Sequence, residues 1–234
     1  MKFKFKFKGY LRETRRPVYS AVLILPFLAV YHTGTFFLQT TYINGADALI
    51  IRILSLLSVH SMFGSALVLG ICFVIWQARA RASWKIDPRM LLLYFLESVC
   101  FALLLVAVFG WMYTRFNLAA GTIKQSVSNV VLYCGAGIYE ELVFRAFLLT
   151  LIIALFNLIL HQKRTALISA AVLGALLFST FHYIGPSGDA FAVGSFLQRA
   201  LGGLYFSILY ITRGFGVAAA SHALYDIFVE ILQA

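Results

Sequence analysis

Polar residues along this chain gather in short clusters, and between them lie seven mostly apolar windows, at about 18–38, 59–78, 90–113, 127–158, 166–184, 196–212 and 214–233. A helix needs roughly 20 such residues to cross a hydrocarbon core about 30 Å thick. The pattern therefore predicts an all-α fold, a polytopic transmembrane helix bundle of about seven spans. The fourth window is long enough to carry an extra turn outside the lipid. A shorter apolar stretch between Gly45 and Ser58, which contains Arg52, is expected to form one extra re-entrant or interfacial helix. Composition agrees, since 62% of the 234 residues are apolar and 12% charged, far from the shares of a soluble domain. No internal repeat, low-complexity linker or second soluble domain is visible. The reading is a basic flank at 1–17 followed by a single transmembrane domain at 18–234.

The net charge of +10 would raise the question of nucleic acid in a soluble protein. Here the bases sit at the ends of spans, where the sidedness rule accounts for them, and no nucleic-acid partner is expected. A cytoplasmic N-terminus places Lys2, Lys4, Lys6, Lys8, Arg12, Arg15, Arg16, Arg79, Arg81, Lys85, Arg89, Lys163, Arg164 and Arg213 on one side, leaving Arg52, Arg115, Lys124, Arg145 and Arg199. Seven crossings then put the C-terminus outside. The N-terminal run alternates lysine with Phe3, Phe5 and Phe7, so an extended form would turn lysines to anionic headgroups and rings to the interface; the preferred reading is a basic flank that sets topology. The first apolar run is long, contains Pro26 and lacks a small-x-small cleavage site, so it is read as a retained helix. These features describe an integral protein of the plasma (inner) membrane whose constant partner is the lipid bilayer. Cys72, Cys100 and Cys134 are odd in number and show no paired short spacing, which indicates neither a disulfide framework nor a cysteine metal site.

Ionisable groups at membrane depth cost about 2.5–3.5 kcal/mol each, so those inside apolar windows call for a functional hypothesis. They concentrate in the C-terminal half. In Tyr139-Glu140-Glu141-Leu142-Val143-Phe144-Arg145, helical i,i+4 spacing brings Glu141 and Arg145 onto one face with the acid N-terminal to the base. Glu140 is turned about 100° away and lacks this partner. All three could form a structural network between helices, but Glu140 reads as the functional carboxylate. Phe178 and His182 share a face of the next span; a lone histidine there is also readable as a satisfied polar group. In the last span, Asp226 can accept from one ring nitrogen of His222 and leave the other free to work. Glu97, His32 and His60 are read as bundle or interfacial contacts, with Glu97 expected to have a partner.

One carboxylate and two imidazoles on three helices make a hydrolytic set: the carboxylate accepts a proton from water, and an imidazole shares it or stabilises an oxyanion. The same Glu140, His182 and His222 could instead hold zinc with an open position. The common zinc-protease helix H-E-x-x-H is absent.

Glu140-Glu141-x-x-x-Arg145, Phe178-x-x-x-His182 and His222-x-x-x-Asp226 resemble, in order, the three motifs of the CAAX protease and bacteriocin-processing (CPBP, or Abi) intramembrane proteases, of the CAAX prenyl protease 2 type. The resemblance covers roughly the C-terminal half, 122–234. It implies an intramembrane endopeptidase that cleaves a membrane-embedded or lipid-anchored protein or peptide. It further implies that Glu140 activates water with help from His182, that His222 and the residue at 226 stabilise the oxyanion, and that Glu141, Arg145 and Phe178 support the site. In eukaryotic and archaeal relatives an asparagine matches Asp226. An amide can donate to an oxyanion and an ionised carboxylate cannot, so Asp226 orients His222, is protonated, or serves a metal. The expectation is that no cofactor is required, with zinc as the alternative. The competing classes are a transporter or channel with intramembrane charges, which would usually show two related halves, and a catalytically inactive family member acting as a membrane partner.

Overall fold

The computed structural model describes residues 7–38, 43–61, 63–116, 127–185 and 188–232. Every apolar window of the sequence contains a helix. In chain order these are α1 (Phe7–Thr14), α2 (Pro17–Leu38), α3 (Gly45–Leu56), α4 (Gly64–Ala80), α5 (Pro88–Phe116), and α6 (Val127–Glu141), which continues through a π-helical segment (Leu142–Leu149) into α7 (Thr150–Leu160). They are followed by α8 (Lys163–Phe181), α9 (Val193–Arg213) and α10 (Phe215–Leu232). Among the described residues, five helices are long and apolar enough to cross a membrane: α2, α5, the continuous Val127–Leu160 helix, α8 and α10. The fold is an all-helical membrane bundle.

Two windows depart from simple spans. α4 begins at Gly64 rather than near 59, so it is a shorter apolar helix. α9 has the length but carries Gln198, Arg199 and Arg213, and it lies packed against α8 and α10. The stretch expected to form an extra helix does so as α3, capped by Asn44, whose side chain accepts from the backbone N–H groups of Ala46 and Asp47. The lysines and phenylalanines at 2–6 lie outside the described residues, but Phe7 and Lys8 open α1, so the end of that run is helical rather than extended.

α10 is the axis of the bundle. It packs on α2, α5, α6 and α9, and every residue from Phe215 to Leu224 is buried. Its Gly-Val-Ala-Ala-Ala-Ser run explains this, because small side chains let helix backbones approach in lipid, where tight packing substitutes for the hydrophobic effect. Gly137 on α6 meets that surface: a Cβ there would lie 2.4 Å from the backbone nitrogen of Ala223. The large apolar side chains that remain exposed, among them Leu92, Leu96, Leu104, Leu155 and Ile168, lie on outward faces, which is the surface that acyl chains cover. At one end, Glu97 finds the partner expected of a mid-span acid. Arg213 donates to both its oxygens, at 2.5 and 2.7 Å, and the Tyr10 hydroxyl donates at 2.5 Å.

Candidate active site

Glu140 and Glu141 end α6 and, as their angular separation requires, serve different neighbours. Glu141 is fully buried. Its Oε1 accepts from Arg145 Nη1 at 2.7 Å and from His222 Nδ1 at 2.8 Å. Arg145 spends a second N–H on the carbonyl of Gly203 at 3.1 Å, and its guanidinium lies 4.4 Å from the centre of the Phe178 ring. Glycine at 203 lets the helices close this arrangement, since a Cβ would sit a tight 3.0 Å from Phe178 Cδ1 and 3.1 Å from Ala175 Cα. Arg145 stands in the π-helical segment, where the ladder reaches back five residues rather than four. Thr150 Oγ1 donates to its carbonyl at 3.1 Å.

Glu140 points the other way, into a cluster assembled from four elements. Asn44 Nδ2 donates to Glu140 Oε1 at 2.9 Å. Glu140 Oε2 lies 3.9 Å from His182 Nε2 and 3.9 Å from His222 Nε2. Those separations exceed a direct hydrogen bond and suit a bridging water. His182 follows the last residue of α8, and its Nδ1 donates to the Phe178 carbonyl at 2.9 Å. A carbonyl only accepts, so this bond directs His182 Nε2 toward Glu140. The His222 ring stacks on Phe206 with centroids 4.4 Å apart and planes at 16°.

Asp226 is placed differently from the sequence expectation. Its Oδ2 is 3.5 Å from His222 Nε2, the nitrogen that also faces Glu140. The nitrogen that fixes the ring, Nδ1, belongs to Glu141. Spacing along α10 showed that Asp226 could reach the imidazole, but a carboxylate from another helix makes the shorter bond. Among the described residues no group of three or more His, Cys, Asp or Glu side chains is spaced to hold a metal ion.

A family model described as type II CAAX prenyl endopeptidase, Rce1-like, matches residues 123–228. This stretch is therefore similar to an Rce1-like domain. The matched stretch contains Glu140, Glu141, Arg145, Phe178, His182, His222 and Asp226, and the apolar helices mark the chain as an integral-membrane protein. No curated protein and no solved structure matches the chain.

Asn44 lies outside the matched stretch, and sequence reasoning missed it. The signal was partly present, because Asn before Gly45 and an apolar run is a helix-start signature. What the signature could not reveal is the second half of the side chain's role. The amide oxygen caps α3 through Ala46 N and Asp47 N, which fixes the amide orientation and aims the NH2 group at Glu140. The Tyr31 hydroxyl donates to Asp47 at 2.7 Å and accepts from Asn44 N at 3.3 Å, pinning the same turn.

Proposed function

We propose that the protein is a glutamate-dependent intramembrane endopeptidase that cleaves a membrane-anchored or lipidated protein or peptide. The single observation that carries this reading is Glu140 Oε2 standing at equal distance from two imidazole Nε2 atoms that come from different helices. A water bridging these groups loses a proton to Glu140 as it attacks the scissile carbonyl, and His182 shares that proton. The developing oxyanion lies toward His222, whose far nitrogen is held by Glu141, so the imidazole is oriented and its charged form supported. Glu140 then delivers the proton to the leaving amine, which closes the cycle. Asn44 acts as a positioning residue, occupying Oε1 so that Oε2 is the basic oxygen.

No metal is needed in this scheme. Purified protein cleaving a membrane-anchored peptide in detergent or vesicles is expected to keep its rate in the presence of a chelator. Asp226→Asn should stay within about tenfold of wild type, because Glu141 already orients His222 and an amide at 226 adds a donor. Stoichiometric zinc lost together with activity on chelation, and restored with it on adding the metal back, would overturn the scheme.

Asn44 is tested by two variants. Asn44→Ser keeps a capping oxygen, but its hydroxyl is one atom shorter than the amide NH2 and does not reach Glu140 while capping; it is expected to lower kcat about tenfold, in line with a hydrogen bond to a charged group worth about 1.5–3 kcal/mol, at unchanged thermal stability. Asn44→Asp keeps the cap but sets a carboxylate against Glu140, and should be slower still. Equal rates for wild type and both variants would remove Asn44 from the site.

A further inference from the structure

We infer that a groove between α2 and α4 binds one anionic phospholipid, with an acyl chain laid along the groove and the headgroup at the end where Arg81 and Lys85 stand. The lining comes from α2, α4 and Trp84, apart from the Glu140 cluster, so the site stands whether or not the catalytic reading holds.

The two helices run antiparallel and are tied at both ends. Val18 N on α2 donates to Gln77 Oε1 on α4 at 3.0 Å. At the other end His32 on α2 and Ser65 on α4 both bond the hydroxyl of Tyr139. Between these ties Ala21, Ala66 and Gly70 bring little or no side chain to the walls, and a groove of about 220 Å³ remains, flanked by Ile24, Leu69 and Phe73. A Cβ added at Gly70 would meet nothing within 4 Å, so the space beside it is open.

On α2 the lining runs from Pro17 to Leu28, a rise of about 17 Å at 1.5 Å per residue. That is close to the depth of one leaflet, half of a hydrocarbon core about 30 Å thick. The groove is open sideways where Leu25 and Val74 are exposed. A slot of this length with an almost wholly apolar lining fits a hydrocarbon chain and disfavours a polar ligand, whose groups would lose water without gaining partners.

The groove has a basic end. Gln77 is buried there and donates its amide to the carbonyls of Ala82 and Ser83, which folds the α4–α5 connection over the groove. Arg16 fastens the same connection through the carbonyls of Ser83 and Lys85. Trp84, in this connection, lines the groove, and tryptophan is a residue type that settles at headgroup level. Arg81 and Lys85 on either side of it are exposed. The joined segments 12–16 and 79–89 carry seven bases against two acids, Glu13 and Asp87. Both acids are engaged: Glu13 pairs with Arg16 at 3.1 Å, and Asp87 Oδ1 accepts from Arg89 N at 2.9 Å. The remaining charge at the headgroup end is positive, and each base held near an anionic headgroup strengthens attachment. An uncharged lipid would fill the slot and leave this charge unanswered.

Trp84 reports on the groove directly. In the full-length chain with Trp76→Phe and Trp111→Phe, it is the remaining tryptophan of three. The protein is placed in phosphatidylcholine vesicles that contain rising fractions of phosphatidylglycerol brominated on its acyl chains, or of brominated phosphatidylcholine, and quenching of Trp84 is followed. Saturable quenching by the anionic lipid is expected at a mole fraction about fivefold or more below that needed for the uncharged one. Gly70→Leu, which fills the groove, should abolish the saturable phase. Arg81→Gln combined with Lys85→Gln should remove the preference and leave weak, equal quenching by both lipids. The charge variant alters only exposed positions, so it decides alone if Gly70→Leu does not fold. Equal quenching of the parent protein by the two lipids overturns the site. So does a preference that survives the charge variant or a folded Gly70→Leu. Shielding of Trp84 from both lipids that grows with protein concentration marks a second copy of the chain on this face, and overturns the site as well.

Discussion

Replacing Glu140 by Gln is expected to abolish turnover while leaving folding and membrane insertion intact. The amide has nearly the shape of the carboxylate, and its carbonyl can still accept from Asn44 Nδ2, which now reaches Glu140 at 2.9 Å. What disappears is the basic oxygen facing His182 and His222. Loss of a positioned general base removes about 10²–10⁴ in rate, and here no second carboxylate can take over. Glu141 is occupied by Arg145 and His222, and Asp226 stands 3.5 Å from His222 Nε2 with no contact to His182. The measurement is kcat on a membrane-anchored peptide together with the thermal transition and elution profile of the purified variant. Residual activity within tenfold of wild type would exclude Glu140 as the base.

Glu141→Gln should instead act first on folding. The substitution leaves the Arg145 guanidinium, fully buried between α6, α8 and α9, without the charge that neutralises it. Breaking a buried pair by removing one partner costs about 3–5 kcal/mol, a large part of the roughly 5–15 kcal/mol that holds a domain together. The expected result is a sharp fall in the yield of folded protein. A double variant, Glu141→Gln with Arg145→Met, removes the stranded charge and should recover much of that yield, a coupling readable as a double-mutant cycle. Turnover in the double variant should stay low, because His222 Nδ1 has lost its carboxylate partner. If Glu141→Gln folded normally and were inactive while Glu140→Gln remained active, the roles of the two acids would be exchanged.

The contrast between these adjacent residues was readable from one dimension. A helix turns each residue about 100° from the last, so Glu141 had to meet Arg145 and Glu140 had to look elsewhere. The same periodicity placed Phe178 beside His182 and predicted that Asp226 comes near His222. Membrane spans were readable for a different reason: lipid offers no hydrogen bonds, so a crossing segment must be both helical and apolar over a length set by the bilayer. α9 shows where that signal weakens, since it carries two arginines, Arg199 and Arg213, whose charges are met by Asp189 and Glu97.

Contacts between helices obey no such rule. That Glu141, four residues before Arg145, also takes the Nδ1 of a histidine far along the chain depends on how closely α6 approaches α10, and that closeness depends on Gly137 lying against the backbone of Ala223. Asn44 belongs to a segment with no motif, and it reaches Glu140 only because α3 starts where α6 ends. Local spacing therefore specified which side chains share a face and which segments enter the lipid, because both follow from backbone geometry and solvent. Which nitrogen each imidazole offers to Glu140, and which oxygen of Glu140 remains free, was decided by the packing of separate helices, because those bonds join residues that no periodicity relates.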